Sequence, residues 1–79
     1  ILMKKVLIEV EAGGRAVIAS LAGGFGFQRR MRTMGIREGK VISVLTRHPF
    51  GGPLVVDIDG RKTTLGRGMA AKIIVEDVQ

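Results

Sequence analysis

His48 is the one imidazole in this 79-residue sequence, and there is no cysteine. That excludes a disulfide staple and any thiolate metal site, and one histidine cannot build a histidine-rich one. Nor has His48 a partner that would make it a nucleophile activator. Asp57 and Asp59 stand two apart and share a strand face, where two exposed carboxylates usually form only a solvated surface. Ser20 and Ser43 fall in strand-like runs with no base in view. Gly23-Gly24-Phe25-Gly26 precedes a helical segment, and helix N-termini attract anions. It lacks both Gly-Lys-Ser/Thr and a complete Gly-x-Gly-x-x-Gly, so a turn is favoured over nucleotide binding by roughly ten to one. These residues predict a protein that is not an enzyme, with no catalytic residue, no cofactor and no metal site.

The arginines carry more. Thirteen basic side chains oppose seven acidic ones, a net charge of +6. Such a balance favours an acidic partner: nucleic acid, an anionic membrane or an acidic protein face. Simple solubility accounts for the charge as well. Arg29, Arg30 and Arg32 crowd the helical segment, Arg37 follows it, and Arg47, Arg61, Lys62 and Arg67 lie on strands or loops. RNA-binding barrels add exposed aromatics on which bases stack, and proline-peptide grooves are lined with aromatic rings. Here there is no Tyr or Trp. With Phe27 committed to the core, only Phe25 and Phe50 are left for such work.

The elements that position these residues are short. Arg15–Leu21 has β-branched residues at its centre and reads as a strand between two Gly-Gly pairs. From Phe27 to Met34 the spacing turns helical: Phe27, Met31 and Met34 share a face, while Arg29 and Arg32 point away. About two turns of helix do not hold alone, so those three side chains must dock on the core. Gly35 suits the left-handed residue that ends a helix. Strand character resumes over Val41–Leu45, and Leu54–Asp59 alternates with Leu54, Val56 and Ile58 inward. Asp59-Gly60 signals a tight hairpin that returns Arg61–Leu65 antiparallel. Gly66–Ala71 fits one helical turn, because two glycines weaken it, and Ile73–Val75 a last strand. The predicted fold is all-β: a small, partly open SH3-like barrel of about five strands with one short inserted helix. The whole of residues 1–79 reads as one domain with its core at about 7–76. No apolar run approaches the ~20 residues of a membrane helix.

Between strands, Pro49 and Pro53 bracket Phe50-Gly51-Gly52 and give this loop a fixed shape. Such a loop loses little entropy on docking, so Phe50, Gly51 and Gly52 are candidate partner-binding residues, with Arg47 beside them and Arg29 and Arg32 on the helix. Phe50 either stands free as an anchor or folds back over the barrel end; the sequence leaves both open.

The chain resembles the small ferrous iron transport protein A (FeoA) family. The likeness runs from Leu7 to Val75 and is strongest in Phe27–Ile36, the Arg37-Glu38-Gly39 turn, His48–Leu54 and Leu65–Val75. Arg67, Ala70 and Ile73 fall where the family expects an arginine, an alanine and an aliphatic. Gly66 and Gly68 replace its usual charged helix formers, and Ala12 a frequent proline. The resemblance implies an SH3-like barrel accompanying a bacterial ferrous iron transporter, FeoB, whose cytoplasmic part is a GTPase. It implies a cytoplasmic regulatory protein that binds this part and meets the membrane only through the transporter, with no nucleic acid partner. It also associates the domain with transition metal ions, for which this sequence has no ligand set. Two rival readings are the SH3-like domain of a metal-dependent transcriptional repressor and a basic nucleic-acid-binding barrel. Too little chain precedes Arg15 for a helix-turn-helix, so a stand-alone module is expected.

Overall fold

The computed structural model describes residues 3–78. Six strands run in the order β1 (Lys4–Val6), β2 (Arg15–Leu21), β3 (Val41–Arg47), β4 (Leu54–Ile58), β5 (Arg61–Leu65) and β6 (Ile73–Asp77). They form one antiparallel sheet with the spatial order β1-β6-β2-β3-β4-β5. Register shifts between Ile18 and Ser20 and between Val44 and Thr46 mark bulges that bend their strands. The two end strands, β1 and β5, are not paired with each other, so the SH3-like barrel stays open.

The interior is aliphatic. Leu54, Val56 and Ile58 of β4 turn inward in strict alternation and meet Ile42, Val44 and Leu65 of the neighbouring strands. The Asp59-Gly60 hairpin has both residues at positive φ, 54° and 81°, as a two-residue type I′ loop requires. Asp57 Oδ1 accepts the Gly60 N–H at 3.0 Å and stiffens the turn.

Helix α1 (Phe25–Thr33) fills the β2–β3 connection and buries Met31 completely, with Phe27 and Met34 packed against the same core. It begins two residues before the predicted start. Its end follows from Gly35, at φ 83°: Gly35 N–H donates to Arg32 O at 3.0 Å and Ile36 N–H to Met31 O at 2.9 Å. This paired closure satisfies two carbonyls that the helix leaves free. It also brings Ile36, itself buried, into the core with Met31.

Helix α2 (Arg67–Ala70) is the single turn expected between β5 and β6. Strand β1 exceeds the predicted five. Three residues followed at once by a 3₁₀ turn, Leu7–Glu9, give too short a run to show alternation. What defines it is pairing with β6 at the far end of the chain, Lys4 opposite Glu76 and Val6 opposite Ile74.

Candidate docking site

Two surface features hold the residues singled out from the sequence. One is the outer face of α1. At 100° per residue, Phe25, Arg29 and Arg32 form a stripe opposite Phe27, Met31 and Met34, and all three are exposed. Arg32 Nη2 lies 3.7 Å from Glu38 Oε2, a loose surface contact worth little. Among the described residues, Arg29, Arg30 and Arg37 have no ion pair.

The other feature is the β3–β4 loop, residues 48–53. Phe50 at its tip is 91% exposed, which decides between the two orientations left open: the ring stands free. His48 and Gly52 form the loop's base. A β-carbon placed on Gly52 would come within 2.6 Å of His48 Cγ and 2.7 Å of His48 Cβ, so no larger residue fits without opening the loop. Gly52→Ala should therefore cost about 1–3 kcal/mol by overpacking. Chemical denaturation should register that loss, and adding His48→Gly, which removes the colliding ring, should recover most of it.

Arg47 has a structural task at this loop. Half-buried, it donates from Nη1 to Val10 O at 3.1 Å and ties the loop to the segment before β2. No hydrogen bond or ion pair joins Arg29 or Arg32 to the loop among the described residues. The link between the two features is α2. At its start the Arg67 side chain lies beside Gly51, 3.6 Å from where a β-carbon would stand. Just past its end Lys72 O accepts the Ala22 N–H at 2.7 Å, and Lys72 Nζ sits 5.0 Å above the Phe27 ring, a cation–π contact.

Phe25, 78% exposed, is the residue that the sequence reading left out of the site. Its signal was the i, i+4, i+7 spacing to Arg29 and Arg32. That spacing shows only if the helix starts at Phe25, and Gly26 obscured the start.

The remaining polar candidates have structural partners or none that matter chemically. Asp57 holds the hairpin turn, and Asp59 Oδ2 pairs with Lys40 Nζ at 2.9 Å. No three His, Asp or Glu side chains converge among the described residues. The donors present do not fit a resident transition metal, which wants several imidazole or carboxylate ligands together. Among the described residues no helix is long and apolar enough to cross a membrane.

Residues 5–77 match the FeoA domain family. "Putative Fe(2+) transport protein A" of Methanocaldococcus jannaschii is 31% identical over 67 residues, which is 85% of this chain and 79% of that protein. The Fe(2+) transport protein A/Fe(2+) transporter FeoB fusion protein of Porphyromonas gingivalis is 37% identical over 70 residues, 89% of this chain and 8% of the fusion. The crystal structure of an iron uptake regulatory protein (FeoA) superposes with a TM-score of 0.89 at 28% identity, over 96% of this chain and 100% of that one. A manganese-dependent transcriptional repressor in complex with manganese gives 0.88 at 26% identity, over 95% of this chain and 37% of that one. The family match covers nearly all of the chain, and a FeoA crystal structure shares its barrel from end to end: this protein belongs to the FeoA domain family.

Proposed function

We propose that this protein is a cytoplasmic accessory of bacterial ferrous iron uptake, acting by binding the cytoplasmic GTPase part of a FeoB-type transporter. The observation that carries the reading is Phe50, a phenylalanine 91% exposed on a proline-bounded loop. A large ring held in water on a fixed loop is the kind of side chain that anchors a protein interface. The Porphyromonas gingivalis relative supports the choice of partner, since it carries both proteins in one chain. Tethering of that kind raises a weak partner's effective concentration to about the millimolar range. The role assigned to the chain is regulatory and non-catalytic.

In this reading Phe50, with Gly51 and Gly52 shaping its loop, anchors the contact. Arg29 and Arg32 orient an acidic face of the transporter, and Arg47 holds the loop in place. Reversing both charges, Arg29→Glu with Arg32→Glu, should slow association with the cytoplasmic domain by about tenfold at low salt. It should also flatten the salt dependence of the rate, because rim charges act mainly on encounter. Stopped-flow or surface-based kinetics at two ionic strengths read both effects. An association rate equal to the parent's at both would remove the helix from the interface. The likeness to the manganese-dependent repressor covers 37% of that chain and leaves a repressor domain as the second reading. A transporter domain that binds nothing, beside a DNA or RNA ligand that does bind, would favour that reading or the nucleic-acid barrel.

A further inference from the structure

Phe25 has no structural task. It stands at the first turn of α1, 78% exposed, on the helix face opposite the core. Its neighbour two residues on, Phe27, does the packing and also carries Lys72. Of three phenylalanines in the chain, two are thus held in water, each on a glycine-flanked connection, and α2 lies between those connections. Arg67 at one end of α2 lies against Gly51, next to Phe50, and Lys72 at the other lies 3.1 Å from where a β-carbon on Gly23 would stand. At 1.5 Å per residue, the stretch from Arg67 to Lys72 spans only about 8 Å. The two connections that carry the rings are therefore joined by a span well within one docking patch of ordinary size, about 800 Å² per partner.

Charge identifies what fits there. The sequence has no acidic residue over 12–37, 39–56 or 60–75, which takes in α1 before Glu38, the whole Phe50 loop and α2. Arg29 and Arg32 share the helix face of Phe25, Arg67 lies against the loop of Phe50, and Lys72 stands between the two connections. A second copy of this chain, also at +6, would be repelled.

We infer that Phe25 is a second apolar anchor, and that the protein docks through Phe25 and Phe50 on either side of α2. The partner face presents two apolar pockets separated by carboxylates that meet Arg67 and Lys72. The inference rests on the transporter reading for the identity of that partner, and it adds Phe25, Arg67 and Lys72 to the contact. Two anchors on separate connections share the load: removing either speeds dissociation, and removing both leaves only charge steering. Each exposed ring can be truncated without touching the core, so these variants keep their fold.

The test measures dissociation constants of the parent, Phe25→Ala, Phe50→Ala and the double variant for the transporter's cytoplasmic domain, each first checked for an unchanged circular dichroism melt. Phe25→Leu serves as a conservative control. Phe25→Ala should weaken binding about tenfold or more through a faster off-rate, Phe25→Leu by less, and the double variant by more than either single one. A parent that binds while Phe25→Ala binds equally well overturns this inference and leaves the transporter reading standing. The transporter reading fails, taking the protein partner with it, if the parent does not bind that domain at all. The same holds if Phe25 instead governs binding to phosphatidylglycerol vesicles or single-stranded RNA.

Discussion

Met31→Ala should leave a large fraction of the molecules unfolded near body temperature. Met31 is fully buried, and its side chain is what fixes α1 to the barrel, between the half-buried Phe27 and Met34 and beside Ile36. Truncating a buried methionine removes its transfer free energy and leaves a void, about 2–5 kcal/mol together. A domain of this size has a total stability at the low end of the usual 5–15 kcal/mol. Each kcal/mol shifts the Tm of a small domain by about 4–8 °C, so the melt should move down by about 10 °C or more. A melt displaced by less than about 2 °C would show that α1 is not held to the barrel by this contact.

Phe50→Ala should be nearly silent in stability and large in binding. The ring is exposed and is absent from the core cluster, so its removal leaves no cavity, and surface changes of this kind stay within about ±0.5 kcal/mol. In an interface a buried aromatic anchor is commonly worth 2 kcal/mol or more, which is about thirtyfold in affinity. The loss should appear in the off-rate, since an apolar anchor does little to long-range encounter. Equal affinity for parent and variant would place the interface elsewhere. A variant with a lowered melt would mean instead that the ring folds back onto the barrel.

What the sequence revealed about the fold divides by range of interaction. Strands β2 and β5 have the limits predicted from β-branched content and from the Asp59-Gly60 hairpin, because short-range patterns encode them. Strand β3 runs two residues beyond its predicted end: the bulge between Val44 and Thr46 leaves Thr46 exposed where alternation with Ile42 and Val44 would turn it inward, so the periodic signal stops before the pairing does. Strand β1 was illegible, because only its partner β6 defines it. Gly26, a poor helix former, hid the first turn of α1 and with it the common face of Phe25, Arg29 and Arg32. In the candidate site, the outward arginines followed from helical spacing alone, whereas the exposure of Phe50 and the tie from Arg47 to Val10 depend on how distant segments meet.

The proposed partner of this barrel is a transporter's cytoplasmic domain. The most direct measurement is a calorimetric titration of that domain, purified from the transporter of the same source, with the folded parent protein at physiological salt. Saturable one-to-one binding is expected, with a dissociation constant at or below the micromolar range, as an interface of about 1,600 Å² in total commonly supports. Binding should weaken as salt rises, because a chain of net charge +6 meets an acidic face. No heat and no saturation up to about 100 μM, where even a contact of −5.5 kcal/mol would be half-occupied, would contradict this expectation.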